Sequence, residues 1–142
     1  MERDGFFVLD ASALVAIVGR ELGWPIVEKV LKTGRAIATP IALAEVFSVT
    51  RRKFGMNRSE VFALLTGLGL SIEPLIEQDA EEIDFILEKA NQAAKQSGGS
   101  RQLSIADAAC LAVGRRLDAK VVFSDSYWER IDLPGIQITP FR

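Results

Sequence analysis

The chain has 142 residues, which is enough for one domain with its own hydrophobic core. Its formal net charge of −2 argues against a nucleic-acid binder that acts through bulk positive charge. It contains no histidine and one cysteine, Cys110, which excludes Ser-His-Asp and Cys-His nucleophile systems, histidine- or cysteine-based zinc sites and internal disulfides. No apolar run approaches the roughly 18 residues of a membrane span, and a lone cysteine fits a reducing cytosol, so we expect a cytoplasmic protein without membrane contact.

Short apolar runs and helical patterns alternate in the first half of the chain. The run FFVL before Asp10 predicts a strand, and the apolar segment that follows ends at Gly19, as a short helix does. Pro25 suits the first turn of the next helix, and Gly34 suits its C-terminal stop. The predicted elements are a strand over residues 6–9, helices over 13–18 and 25–32, a strand over 36–39, and a helix that starts at 40 and stops at Gly55.

The second half continues this alternation. Asn57 or Ser59 is a suitable N-cap for a helix that runs to Leu68. Pro74 lies within the next predicted strand and predicts an edge position for it, because proline has no N–H to donate to a sheet ladder. Asp79 begins a long amphipathic helix that ends in the loop 97–100. The other predicted elements are a strand over 71–75, a helix over 104–117, and strands over 120–123 and 136–139, the last a candidate edge strand.

Buried strands that alternate with helices predict a three-layer α/β/α sandwich around a mainly parallel sheet. Parallel strands need crossover helices, and these cover both faces of the sheet. We expect a single domain over residues 1–142. In sheets of this kind ligands bind outside the carboxyl ends of the strands, so the functional residues should lie at that edge.

Four acids occupy positions that lead to this edge. Asp10 and Asp125 follow predicted strands, Asp107 lies near the start of a helix, and Glu45 lies about one and a half turns into another helix. Each acid also has a structural interpretation. Asp10 suits an N-cap, Asp107 suits a capping box with Ser104, Asp125 suits a turn, and Glu45 suits an exposed helix face. Taken singly, no acid distinguishes the two interpretations.

Taken together, four acids placed after successive strand ends indicate a shared site. Clustered carboxylates repel one another unless a cation or a proton relieves them, and hard cations such as Mg²⁺ prefer oxygen ligands. A metal ion can activate a water and stabilise charge on a phosphate without any imidazole. The pattern therefore favours metal-dependent phosphodiester cleavage.

Four segments of the sequence resemble the acidic motifs of the PIN-domain family. The segments are residues 8–14 (VLDASAL), 43–46 (LAEV), 103–108 (LSIADA) and 122–125 (VFSD). The resemblance extends over residues 7–138. The order and spacing between Asp107 and Asp125 are most similar to those of VapC toxins.

The resemblance implies a PIN-like nuclease domain with Mg²⁺- or Mn²⁺-dependent endoribonuclease activity, in which a metal-activated water hydrolyses RNA. A VapC-type toxin would also bind a cognate antitoxin protein and form a homodimer. The residues implied for catalysis and metal binding are Asp10, Glu45, Asp107 and Asp125, with Ser12 and Ser124 in support through hydrogen bonds. Ser124 departs from the family pattern, which more often has Thr there, but it keeps the hydroxyl group.

Two basic clusters have two interpretations each. Arg51, Arg52 and Lys53 end one predicted helix, and Arg115 and Arg116 end another. Cations at a helix C-terminus interact favourably with the helix dipole. Either cluster could instead contact RNA phosphates.

Other functions stay open at this point. A PIN-like nuclease can serve RNA processing outside a toxin pair, and a PIN-like domain can bind RNA or a protein without catalysis, although four intact acids argue against the second. A phosphotransferase with Asp10 as covalent phosphate acceptor is a third possibility. The sequence after Asp10 lacks the second Asp of a dehalogenase-type pair, and no lysine follows a strand where a receiver domain would have one.

Overall fold

Five strands and six helices make up the described part of the chain in a computed structural model, which covers residues 5–96, 103–124, 133 and 135–142. The strands are β1 (Phe7–Leu9), β2 (Ala36–Ala38), β3 (Ser71–Ile72), β4 (Lys120–Phe123) and β5 (Gln137–Pro140). The helices are α1 (Ala11–Gly19), α2 (Trp24–Lys32), α3 (Pro40–Phe54), α4 (Arg58–Leu68), α5 (Glu77–Gln96) and α6 (Ile105–Arg116).

The five strands form one sheet in the order β3-β2-β1-β4-β5, and every neighbouring pair is parallel. This confirms the predicted α/β class with a mainly parallel sheet. β1 is the central strand, between β2 and β4. The carboxyl ends of these three strands therefore meet at the middle of one sheet edge.

Alternate strand positions point into two separate cores. Leu9 and Val122 pack with residues of α1, α2, α3 and α4 on one face. Val8 and Val121 pack with residues of α5 and α6 on the other face. All four side chains are fully buried. Helices thus cover both faces of the sheet, as the three-layer prediction requires, and the strands are apolar throughout because neither face meets water.

Side-chain caps and glycine set the ends of the helices. The Asn57 side chain accepts a hydrogen bond from the Glu60 N–H at 2.9 Å, and Glu60 accepts one from the Asn57 N–H at 3.0 Å. This reciprocal capping box selects Asn57, not Ser59, as the N-cap of α4. Gly55 closes α3 with a φ of 66°, a left-handed conformation that glycine adopts without a steric penalty.

Several predicted boundaries differ from the structure, and two of them have a local cause. β3 comprises Ser71–Ile72, not residues 71–75, because Pro74 has no N–H to continue the ladder. α5 begins at Glu77, and Asp79 lies inside its first turn, where its carboxylate accepts a hydrogen bond from the Ile76 N–H at 2.9 Å. The edge positions of β3 and β5 are confirmed. The predicted loop 97–100 lies outside the described residues.

None of the helices in the described segments has both the length and the apolar character that a membrane span requires.

A buried ion pair joins the start of α5 to the end of α6. The guanidinium of Arg116 donates to both carboxylate oxygens of Asp79, at 3.0 and 3.1 Å. The Asp79 side chain is only 3% exposed. Arg116 also donates to the carboxylate of Glu73 at 3.5 Å and to the carbonyl oxygen of Pro74 at 3.3 Å. These contacts hold the β3–α5 connection against α6 and balance the buried charge of Asp79.

Arg116→Ala should lower the free energy of unfolding by about 3 kcal/mol, because the carboxylate of Asp79 would stay buried without its partner. Arg115→Ala is the matched control. Arg115 pairs with Glu82 through side chains that are 39% and 30% exposed, and such pairs contribute about 1 kcal/mol or less. Urea denaturation of the three proteins measures both effects. Equal losses in the two variants would show that Asp79 does not depend on Arg116.

Candidate active site

Asp10 lies at the carboxyl end of the central strand β1. Its N–H donates to the carbonyl oxygen of Val122 in β4 at 3.2 Å, and its Oδ1 accepts a hydrogen bond from the Ala13 N–H at 2.9 Å. The residue is 4% exposed. Asp10 is therefore the N-cap of α1, as its structural interpretation required. It is also a buried carboxylate at the sheet edge where a ligand was expected.

A chain of hydroxyl groups leads to this carboxylate. The Ser12 Oγ lies 2.7 and 2.8 Å from the two carboxylate oxygens of Asp10 and donates to them. Ser124, which follows β4 directly, donates its hydroxyl to the Ser12 Oγ at 3.0 Å. Because a serine hydroxyl can donate and accept at once, the chain runs in one direction, from Ser124 through Ser12 to Asp10. It links the ends of two neighbouring strands.

Glu45 comes to the same region on α3. This helix starts immediately beyond β2, where the fully buried Thr39 caps it by accepting a hydrogen bond from the Ala42 N–H at 3.0 Å. Glu45 itself is an exposed residue and shares a surface groove with Ser12. Thr39 is not one of the site residues predicted from the sequence. The signal was present, since Thr39 directly precedes Pro40 and the Thr-Pro pair is typical of a helix start.

Asp107 lies in the first turn of α6 and is half-buried. Its N–H donates to the Ser104 Oγ at 3.0 Å, so its backbone completes the Ser104 cap. The charge of its side chain acts on both Asp10 and Glu45. The helix-start interpretation of Asp107 is thus correct, and it is compatible with a place among the clustered acids.

Burial and like charges oppose the ionisation of these acids. The pKa of Asp10 is raised to about 7, first by burial and then by the charges of Asp107 and Glu45, against the hydrogen bonds from Ala13 and Ser12. Partial burial of its carboxyl group and the charge of Asp107 raise the pKa of Glu45, although the residue as a whole is exposed. A cation at this edge would favour the charged forms of both acids.

Cys110 belongs to the core beside this site and is 1% exposed, as the sequence predicted. Burial raises the pKa of its thiol well above the ordinary value, and the nearby acids raise it further, against a hydrogen bond with Thr39. The thiol therefore stays protonated. Since the thiolate is the reactive form of cysteine, Cys110 does not act as a nucleophile here.

The fourth predicted acid, Asp125, lies outside the described residues. Among the residues that are described, no three His, Cys, Asp or Glu side chains lie close enough together to hold one metal ion. The effect of Asp107 on the pKa of Asp10 and Glu45 acts over longer distances than direct ligation does. The donor chemistry nevertheless fits Mg²⁺ or Mn²⁺, because carboxylate oxygens are the ligands that these ions prefer.

The two basic clusters lie at different places. Arg115 comes close to Gly135, just before β5 begins, which places the end of α6 at the edge of the sheet opposite Asp10. Arg115 and Arg116 are both held there in ion pairs with acids of α5. The structure does not bring these two arginines to the clustered acids. Lys53, by contrast, lines the same groove as Ser12 and Glu45.

The sequence matches the model of the PIN domain over residues 7–133. The chain belongs to the PIN-domain family. The match includes all four segments from which the resemblance was drawn, and it confirms that resemblance. A search of curated proteins found no match.

Solved structures of VapC proteins share the fold of this PIN domain. A DNA-bound VapBC from Salmonella typhimurium aligns with a TM-score of 0.67 at 18% identity, over 97% of this chain and 99% of that chain. VapC20 from Mycobacterium tuberculosis, described as a toxin that cleaves the sarcin-ricin loop, aligns with a TM-score of 0.67 at 14% identity, over 87% and 93%. A toxin–antitoxin complex from Klebsiella pneumoniae aligns with a TM-score of 0.65 at 14% identity, over 91% and 93%. These values establish a VapC-like fold.

Asp10→Asn should make the metal-free protein more stable at neutral and higher pH. The folded-state pKa of about 7 lies above the ordinary value of 3.8, so ionisation of Asp10 opposes folding. This penalty is absent below about pH 4, grows as the pH rises and is complete above about pH 7, where it reaches at most about 4 kcal/mol. Urea denaturation in chelator should show equal stabilities at low pH and a more stable variant at high pH.

Asp10→Ala is the matched control for this experiment. Alanine removes the charge as asparagine does, but it also removes the oxygen that caps α1 at Ala13. Loss of an N-cap costs about 1 kcal/mol, so the alanine variant should be less stable than the asparagine variant at every pH. A loss of stability in Asp10→Asn that does not vary with pH would leave Asp10 as a helix cap alone.

Proposed function

We propose that this PIN domain is a Mg²⁺- or Mn²⁺-dependent endoribonuclease and the toxin of a toxin–antitoxin pair. The observation that carries the proposal is the buried carboxylate of Asp10 beyond the carboxyl end of β1, whose pKa is raised by burial and further by the charges of Asp107 and Glu45. Perturbed acids in such a place are typical of functional sites. Membership of the PIN-domain family and the VapC-like fold support the assignment.

We propose that Asp10, Glu45 and Asp107 would bind the metal ion after their side chains move closer together than the structure shows, with Asp125 as a fourth acid from the sequence alone. The bound ion would supply a Lewis acid that stabilises negative charge on the cleaved phosphate and lowers the pKa of the attacking water.

Hydrogen bonds from neighbouring residues orient the carboxylate of Asp10 for the proposed metal binding. The Ala13 N–H and the Ser12 hydroxyl donate hydrogen bonds that favour the ionised form and fix its orientation. Ser124 in turn orients Ser12. Because Asp10 is 4% exposed, water competes little for these hydrogen bonds. The carboxylate is therefore preorganised before any ligand arrives.

The source of the nucleophile follows from the composition. Metal-free ribonucleases commonly use an acid–base pair to drive the 2′-hydroxyl of the RNA onto the phosphate, which leaves a cyclic phosphate. This sequence has no histidine for that role. We therefore propose that water attacks the phosphate and that the 3′ oxygen leaves. The products would be a 5′-phosphate and a 3′-hydroxyl.

A protein antitoxin is the partner that we propose, together with homodimer formation, which rests on the family alone. The structures that share the fold include VapBC and a toxin–antitoxin complex. The grouped acids favour an inhibitor that reaches them with a basic side chain. An arginine guanidinium can contact several carboxylate oxygens and take the place of the metal's charge.

Purified protein without antitoxin should cleave a structured RNA when Mg²⁺ or Mn²⁺ is added and should stop in excess chelator. Asp10→Asn should reduce cleavage to background, since the amide keeps the shape but loses the charge that holds a cation. Ser12→Ala should lower the cleavage rate by about 10- to 100-fold, because it removes the hydrogen bonds that orient Asp10, the proposed metal ligand. Glu88→Gln, an exposed acid on α5, is the charge-matched control.

The cleaved ends complete this test. Mass spectrometry should find 5′-phosphates, and a substrate with one 2′-deoxy nucleotide at the scissile position should still be cut. Cyclic phosphate ends would contradict attack by water. Activity that persists in chelator, after contaminating nuclease has been excluded, would contradict the metal requirement itself.

Binding of the cognate antitoxin should weaken when Asp10, Asp107 and Asp125 are all replaced by asparagine, and binding to the wild-type protein should weaken in high salt. Isothermal titration at two salt concentrations measures both effects, with Glu88→Gln again as the control. An antitoxin that binds the triple variant as tightly as the wild type would show that it does not contact the acids.

A further inference from the structure

An open groove of about 240 Å³ runs between α1 and α3 and adjoins the candidate active site. Ser12 and Glu45 line it where it is nearest to Asp10. Glu45, Val49 and Lys53 all line the groove and follow one another at four-residue spacing, so they share one face of α3. Lys53 therefore lies about 12 Å beyond Glu45 along the helix axis.

The part of the groove beyond Glu45 is lined by two cations and one acid, Glu21. Lys53 and Arg142 both line it. The Nζ of Lys53 lies 2.7 Å from the Oε2 of Glu21. The guanidinium of Arg142 lies 5.0 Å from the centre of the Phe141 ring and donates to the carbonyl oxygen of Leu22 at 3.5 Å. The groove thus has Glu45 beside the candidate active site, and two cations together with Glu21 farther along.

We propose that Lys53 and Arg142 bind a phosphate of the RNA backbone that is not the one cleaved. This inference rests on the proposed function, because it places the cleaved phosphate at Asp10, Glu45 and Asp107. A protein of net charge −2 gains little from long-range attraction to RNA, so local cations must hold the backbone. Lysine and arginine are the side chains that contact phosphates in nucleic-acid interfaces.

The ion pair between Lys53 and Glu21 is weak enough for a phosphate to replace it. The two side chains are 45% and 29% exposed, and exposed ion pairs contribute little to stability. A phosphate can therefore replace Glu21 as the partner of Lys53. Glu21 keeps Lys53 in the groove while the site is empty, and its charge opposes phosphate binding. Lys53 should therefore strengthen RNA binding, and Glu21, which contacts it, should weaken RNA binding.

The three basic residues at the end of α3, Arg51, Arg52 and Lys53, face different directions around the helix. Lys53 continues the line of Glu45 and Val49 on the groove face. Its neighbours Arg51 and Arg52 are turned about 200° and 100° away around the helix, since successive residues differ by about 100°. The phosphate contact is therefore assigned to Lys53 within this cluster.

Fluorescence titration of the full chain with a short fluorescein-labelled RNA hairpin, in excess chelator so that nothing is cleaved, tests the site. Lys53→Ala and Arg142→Ala should each weaken binding by about tenfold and reduce the salt dependence by about one phosphate contact. Glu21→Gln should strengthen binding. Lys29→Ala, which removes an exposed cation of α2, is the charge-matched control and should change the affinity little.

Cleavage assays with Mg²⁺ or Mn²⁺ separate this proposal from the proposed function. A methylphosphonate is a neutral replacement for one phosphate. Placed in turn at each phosphate near the cut, it should weaken RNA binding by the wild type at one position. At that position it should not weaken RNA binding by the Lys53→Ala, Arg142→Ala double variant any further. If the wild type cleaves RNA but both variants bind normally, the groove site is wrong and the nuclease stands. If these effects on binding appear without any cleavage, Lys53 and Arg142 do bind an RNA phosphate and the proposed nuclease activity is wrong. Normal RNA binding with weakened antitoxin binding would assign the groove to the antitoxin and overturn the proposal.

Discussion

The buried carboxylate of Asp10 is the constraint on which the rest of the site depends. It follows the central strand of a parallel sheet, so its backbone and side chain need partners inside the protein. Val122 of β4 accepts its N–H, Ala13 of α1 donates to its carboxylate, and Ser12 donates to both carboxylate oxygens. One residue thus ties β1, β4 and α1 together. Its position is fixed by the same contacts that build the sheet edge.

The two ends of α6 lie among charges of different kinds. At its C-terminal end, Arg116 balances the buried Asp79 with two short hydrogen bonds, so the charges there contribute to the fold. Near its N-terminal end, burial and then the charges of Asp107 and Glu45 raise the pKa of Asp10, and no basic residue in the described part of the chain is among the causes of the shift. An acid placed against its neighbours in this way costs stability. Such a cost is typical of residues that serve a ligand in addition to the fold.

The proposed nuclease activity would have a second requirement, which is to hold a polyanion near the acids of this edge. The groove between α1 and α3 meets it with a separation of charge along its length. Glu45 lies at the acidic end and Lys53 about two helical turns farther along the same face. The regular spacing of α3 therefore sets the distance between the proposed metal site and the proposed phosphate site.

The sequence by itself determined the class of the fold and the elements that carry the acids. Apolar runs of strand length that alternate with helical patterns predict a parallel sheet with helices on both faces. Gly55 predicts the end of a helix and Pro74 predicts an edge strand, each through the backbone chemistry of that one residue. Only the tertiary structure decided which side chains meet. Ser124 reaches Ser12 across 112 positions in the chain because β4 lies beside β1, and strand order is not a local property. The separation of Lys53 from Arg115 and Arg116 has the same cause: all three end helices, but only the packing of those helices places one in the groove and the others at the opposite edge.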